Sequence, residues 1–295
     1  MELDDKYYAL IEDTCRELYI RSLKKIPPDV IQALNEALER ETSENARNIL
    51  KLYLHSVALG QTKDMMVCQD TGIPIYWVEI GGKLRVDGSR ITDAITRGTE
   101  RATREHPLRS SIVSPLKREN RQTSTGERIP VIKYDFVSDS DVLDILFIPK
   151  GSGSENMTTL KMLVPAEGVK GIKRFVIEQV VGAGAKPCPP TIVGVGIGGS
   201  SDLCMALAKK ATTRPIGSRN ADPEIAALEE ELYNAINEIG LGPQGLSGKT
   251  TALAVHIESA WTHITCNPVA VNLQCWRAER ARAQIYTDLR VEIGY

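Results

Sequence analysis

Little in this chain supports a zinc, disulfide or membrane explanation. Its 295 residues include six cysteines and four histidines. No two cysteines form a Cys-x-x-Cys pair and no His-Glu-x-x-His run occurs, so zinc-site spacing is missing. Six scattered cysteines are too few for a disulfide scaffold of this size. No apolar run approaches the roughly 20 residues that span a bilayer. The start, Met1-Glu2-Leu3-Asp4-Asp5-Lys6, lacks the apolar core of a secretory signal. Neither sign of charge dominates: 36 basic against 38 acidic side chains give −2, with no bulk pull toward nucleic acid or an anionic membrane. Repeats and low-complexity tracts are missing as well. What is present, 42% hydrophobic and 25% charged residues, predicts a soluble, cytoplasmic globular protein with a full core.

Periodicity divides the chain into a helical start and a mixed remainder. Residues 1–60 read as helices, with Pro27-Pro28 as a break and Ala46, Leu50, Tyr53, Leu54 and Val57 on one face up to Gly60. Short strands follow at 73–80, 131–137 and 142–148, with a helix at 91–104 between them. Further on come a helix at 170–181 stopped by Gly182, a strand at 191–197, helices at 201–211 and 223–239, and extended stretches at 251–257 and 269–273. The lack of regular βαβ alternation predicts an α+β fold, mixed helices and short strands in one domain spanning 1–295.

Local context separates the cysteines. Cys15 and Cys204 lie on apolar helical stripes and read as core. Cys68 opens Cys-Gln-Asp-Thr-Gly, a turn. Cys188 is held in Lys-Pro-Cys-Pro-Pro, which can be neither helix interior nor central strand. Cys275 stands before the helix-prone Trp276-Arg-Ala-Glu-Arg-Ala281, where a helix dipole would lower a thiol's pKa. Cys266, in Thr-Cys-Asn-Pro, is a weaker fourth candidate.

Two segments imitate phosphate loops. Gly194-Val-Gly-Ile-Gly-Gly199 satisfies G-x-G-x-x-G between a strand and a helix, yet no strand with a ribose-binding acid follows about 20 residues later. Gly242-Pro-Gln-Gly-Leu-Ser-Gly-Lys-Thr250 ends like a P-loop, but its first glycine is one place out of register and strand-like residues follow where helix is required.

Six ordered motifs nevertheless resemble one family, the iron–sulfur-dependent class I fumarate hydratases and the related tartrate dehydratases. They are Val67-Cys-Gln-Asp-Thr-Gly72, Lys150-Gly-Ser-Gly-Ser-Glu-Asn156, Ala185-Lys-Pro-Cys-Pro-Pro190, Gly196-Ile-Gly-Gly-Ser-Ser201, Gly242–Thr250 and His263–Arg280. The resemblance runs from about residue 10 onward and covers only the cluster-binding part of the single-chain enzymes, which in two-subunit members is a separate α chain. It implies a 4Fe–4S cluster on Cys68, Cys188 and Cys275, with one iron left open as a Lewis acid. It also implies Asp70 as the acid that protonates the departing hydroxyl, His263 as a substrate-contacting histidine, and Gln69, Arg109, Gly151 and Gly153 as substrate-binding residues. Ser152 departs from the three glycines often found in that loop. No base is evident in this chain, and the resemblance assigns it, a threonine, to a β subunit. The expectation is therefore an α2β2 hydro-lyase that interconverts malate and fumarate, as in the tricarboxylic acid cycle. The alternatives are L-tartrate as substrate and, from a different class, an electron-transfer or sensing protein with Cys266 as fourth ligand.

Overall fold

The computed structural model describes residues 4–295. It is a mixed α/β structure that divides into two compact units. The first unit comprises the chain up to Ile26, Val57–Gly151 and Glu279–Tyr295; the second comprises Pro27–Ser56 and Ser152–Ala278.

In the first unit, helix α1 (Asp5–Lys24) is capped by Asp4, whose carboxylate accepts from the Lys6 and Tyr7 amides. Its Tyr7, Ile11, Cys15, Leu18 and Leu23 are fully buried. Helices α2 (Pro28–Arg40) and α3 (Glu44–Lys63) follow, and the chain passes from the second unit back to the first within α3. Gly60 does not end α3. A Cβ there would lie 2.8 Å from Val67 Cγ2, so its role is close packing. Strand β1 (Ile73–Gly81), helix α4 (Gly88–Glu105), strands β2 (Val131–Val137) and β3 (Leu143–Lys150), and the C-terminal β8 (Ala281–Ile285) and β9 (Val291–Gly294) complete this unit. Its sheet has the order β2-β1-β3-β8-β9, with only β1 and β2 parallel. Gly98 lets α4 cross α1 closely, because a Cβ there would meet the Glu12 carbonyl oxygen at 2.5 Å and Cys15 Cβ at 2.9 Å. Cys15 is thus core, as its stripe predicts.

The second unit holds the short helix α5 (Ser152–Glu155), β4 (Thr159–Leu163), α6 (Gly168–Ala183), β5 (Thr191–Gly198), α7 (Ser201–Ala211), α8 (Pro223–Glu238), β6 (Ala252–Ala260) and β7 (Asn267–Gln274). The sheet order is β4-β7-β5-β6, with only β5 and β6 parallel. α6 runs past Gly182 and stops at Gly184, which takes the left-handed φ of +54°.

Both phosphate-loop imitations resolve into packing. Gly194 and Gly196 lie inside β5, where Cβ atoms would come within 2.1 Å of the Ala208 carbonyl and 2.0 Å of the Cys204 carbonyl of α7. Their absence of side chains seats the helix on the strand. At the second imitation, the Lys249 amide that a phosphate would claim donates to the buried Glu41 carboxylate at 2.7 Å, and β6 follows.

Candidate active site

The Cys68–Gly72 turn joins α3 to β1. The Asp70 amide donates to Cys68 Sγ at 3.4 Å, and the Gly72 amide closes an Asx turn on Asp70 Oδ1 at 3.0 Å. Gly72, at φ +69°, presses the turn onto the end of β3: a Cβ there would lie 2.4 Å from the Pro149 carbonyl carbon. Gly151 faces the same carboxylate, since a Cβ there would sit 3.1 Å from Asp70 Oδ2. The buried Thr71 donates its hydroxyl to the Arg109 carbonyl and accepts at its own carbonyl from Tyr19 Oη at 2.9 Å. Cys68, Gln69, Asp70, Gly151 and the Arg109 backbone are therefore gathered in the first unit. Cys68 and Gln69 also line a cleft of about 670 Å³ with Lys24, Asp64 and His106. There the hydrogen bond from Lys24 holds Asp64 below the usual carboxylate range, and burial, followed by the charges of Lys24 and Arg16, lowers His106.

Cys188 and Cys275 meet in the second unit. The Trp276 amide donates to the Cys188 carbonyl at 3.2 Å, joining the two loops. Cys188 has φ +56°, a left-handed conformation strained for any residue with a Cβ. The Tyr53 ring stacks on Trp276 with centroids 4.0 Å apart and planes 9° apart. Its hydroxyl donates to the Pro189 carbonyl at 3.2 Å, which also accepts from the Gln244 amide at 2.9 Å. Burial raises the Tyr53 phenol far above its ordinary range, and the nearby Cys188 and Cys275 thiols add to the rise against a hydrogen bond with Gln244. Gly153 brings α5 against the same region, since its Cβ would lie 2.6 Å from the Lys186 carbonyl oxygen. That close approach is reason enough for glycine at 153.

One expectation about Cys275 fails. Residues 276–280 form turns leading into β8, not a helix, so no helix dipole acts on that thiol. Ala278 takes a φ of +41° and its amide closes a turn on the Cys275 carbonyl at 2.9 Å.

His263 and Cys266 sit apart from the cysteine pair. Both belong to the loop joining β6 to β7, and Thr262 ties that loop to the Gly199 carbonyl at 2.9 Å. Gly198 pairs with Ala260 at that end of β5, whereas Ile192 pairs with Gln274, next to Cys275, at the other. The eight-residue strand between them is about 23 Å long. The His263 Nδ1 lies 2.9 Å from the Thr265 hydroxyl and 3.3 Å from the Thr265 amide nitrogen, which anchors that side of the ring.

A profile of the fumarate hydratase (Fumerase) family matches residues 12–284. The chain belongs to this family. As a family member it is a hydro-lyase. A Methanocaldococcus jannaschii protein with the provisional name L(+)-tartrate dehydratase subunit alpha is 44% identical over 95% of this chain and 99% of its own length. L(+)-tartrate dehydratase subunit alpha of Escherichia coli strain UTI89 is 34% identical over 91% of this chain and 88% of its own, and that of strain K12 is 33% identical over the same shares. Among the described residues of this fumarate hydratase family member, no three His, Cys, Asp or Glu side chains converge as a single-ion site requires. A cubane makes a different demand, because each thiolate binds a different iron. Soft, half-buried thiols in loops, two of them braced by a buried tyrosine, fit such a group. No helix among the described residues is long and apolar enough to cross a membrane.

Sequence reasoning passed over several buried polar residues of this family member. Lys150, Glu279 and Arg280 in the first unit and Arg277, His256 and Asn272 in the second are buried. Ionisable side chains seldom go inside without partners. Charged residues placed immediately after Cys275, or opening the glycine loop, were the available signal.

Proposed function

We propose that this chain is the α subunit of a 4Fe–4S-dependent hydro-lyase acting on a small 2-hydroxydicarboxylate. The observation that carries the reading is the Cys68–Gly72 turn, in which the Asp70 amide donates to the Cys68 sulfur and its carboxylate abuts Gly151. Cys68, Cys188 and Cys275 would hold the cluster. When bound, such a cluster supplies Lewis acidity at its open iron toward the substrate hydroxyl and an adjacent carboxylate. Asp70 donates a proton to the leaving hydroxyl, and the Asx turn keeps its Oδ1 fixed while it does so. Gln69 and Gly151 bind the substrate beside it, Gly153 lies within the same glycine loop, and Arg109 clamps a carboxylate. His263 contacts substrate. The base that removes the C3 proton comes from a β subunit, a partner supported by the relatives' designation as subunit alpha. The working assembly is α2β2.

Malate/fumarate and tartrate are supported about equally: the family is named for one activity and the E. coli relatives for the other. The test is anaerobic reconstitution of iron in the α chain, followed by assay of L-malate and L-tartrate with and without the partner. Three Cys→Ser variants, at 68, 188 and 275, should lose the iron, whereas Cys15→Ser and Cys204→Ser should keep it. Full turnover by α alone, or full iron in Cys188→Ser, defeats the reading. The electron-transfer alternative needs a fourth ligand, and Cys266 lies at the far end of the sheet from Cys188 and Cys275.

A further inference from the structure

A polar cluster lies under the glycine loop, within the second unit. Asn272 stands in β7 opposite Gly194 of β5 and is fully buried. Its side-chain nitrogen donates to Thr158 Oγ1 at 2.7 Å and to Glu155 Oε2 at 3.4 Å. The other carboxylate oxygen, Glu155 Oε1, lies 2.5 Å from the Lys209 ammonium of α7. The Glu155 and Lys209 side chains are only 25% and 18% exposed. One carboxylate thus joins α5 to both α7 and β7.

What it holds is fragile by itself. α5 spans four residues, Ser152–Glu155, far below the roughly 12 at which an isolated helix becomes even marginally stable. Gly153 seats this turn against the Lys186 carbonyl oxygen, and Glu155 adds a second anchor at its end. Packing alone does not call for a charge here. An ion pair held largely out of water carries a desolvation cost that apolar side chains of similar size escape. A carboxylate with a donor on each oxygen has instead the property of fixing a loop in direction as well as in place.

We propose that Glu155 is a positioning residue for the glycine loop. Held by Lys209 and Asn272, it presets the backbone from Ser152 onward, so that the loop receives a substrate carboxylate without first having to order itself. The inference rests on the reading of this loop as substrate-binding. Glu155 moves no proton. Ordering a binding loop in advance favours bound substrate and transition state alike, so its loss raises KM and spares kcat.

The test uses the iron-loaded α chain with β, assayed on L-malate and L-tartrate. Glu155→Gln keeps the shape but turns an amide N–H toward one of two donors, Lys209 or Asn272. KM should rise at least about 10-fold while kcat stays within about 3-fold, with iron per chain unchanged. Adding Asn272→Asp exchanges the roles: the carboxylate now at 272 accepts from the amide at 155 and from the Thr158 hydroxyl, and KM should return to within about 3-fold of wild type. An unchanged KM in Glu155→Gln, a fall in kcat or iron instead, or no recovery in the double variant overturns the proposal and leaves the reading of the reaction standing. A wild-type enzyme that turns over neither substrate defeats that reading, and the proposal with it.

A second readout needs neither iron nor turnover. In the cluster-free chain, amide hydrogen exchange over residues 152–158 should be at least about 10-fold faster in Glu155→Gln and in Lys209→Met, while α6 keeps its wild-type protection. Wild-type exchange over 152–158 in both variants refutes the clamp.

Discussion

Tyr53 offers the sharpest test of how the cysteine loops are held. Its ring lies flat on Trp276, the residue after Cys275, and its hydroxyl reaches the carbonyl after Cys188. Tyr53→Ala removes a side chain that is 6% exposed. Deleting a buried aromatic ring costs about 3–5 kcal/mol, of which stacking accounts for about 0.5–1.5 kcal/mol beyond area burial. Tyr53→Phe keeps the stack and loses one hydrogen bond. Pro189 keeps its bond from the Gln244 amide, so no carbonyl is orphaned and the cost should stay near 1 kcal/mol. Urea unfolding of the cluster-free chain, followed by tryptophan emission, should give a midpoint shift at least twice as large for Ala as for Phe. Iron per chain after anaerobic reconstitution should fall below half of wild type for Ala and stay close to it for Phe. Equal midpoint shifts for the two variants, or full iron in Tyr53→Ala, would refute the idea that the ring braces the two loops.

Asp70→Asn retains an acceptor for the Gly72 amide, so the fold and substrate binding should persist while turnover falls about 10²- to 10⁴-fold, as expected on losing a general acid; steady-state kinetics decides, and near-normal kcat would move the role elsewhere. Gly151→Ala would push a methyl to 3.1 Å from Asp70 Oδ2, lowering kcat with little change in unfolding midpoint. Gly196→Ala meets a backbone carbonyl at 2.0 Å and must drive α7 off the sheet, a cost at or above about 3 kcal/mol readable by denaturation; a mild effect would reopen the nucleotide-loop reading. Burial pushes the Cys204 thiol up to about 11 and Cys15 higher still, so in the cluster-free native chain both should resist alkylation at pH 8 and remain resistant at pH 9. Peptide mapping reads this, and labelling of Cys204 at pH 8 in the native chain would contradict its burial.

The elements legible in the sequence were those with strong period or punctuation. The helix at 201–211 emerges with the bounds that the pattern predicts, because Ser200 precedes it and its apolar side chains recur at helical spacing. Helix ends marked by glycine were less secure. Gly60 and Gly182 both read as stops, yet each lies inside a helix: Gly60 serves where another segment comes close, whereas Gly182 has open space around it and the helix ends two residues later, at Gly184. Trp276–Arg280 misled for a different reason. Its residues favour helix one by one, but Trp276 is committed to Tyr53 and the Cys188 carbonyl, and tertiary contacts override local propensity. The Cys68 turn was visible because a turn is a local device, whereas its distant neighbours Arg109 and Gly151 were suggested only by the family resemblance. That His263 lies a strand's length from Cys275 depends on which strands pair, and twelve residues of sequence separation conceal it.

The backbone of Cys188 sets two selective pressures against each other. At φ +56° a glycine or asparagine would sit more comfortably than any thiol-bearing residue. Backbone strain therefore argues against cysteine here, and on the proposed reading the iron that its sulfur would hold is what offsets that cost. In a lineage that stopped loading iron into this protein, position 188 should be among the first to drift, and glycine is where it should go.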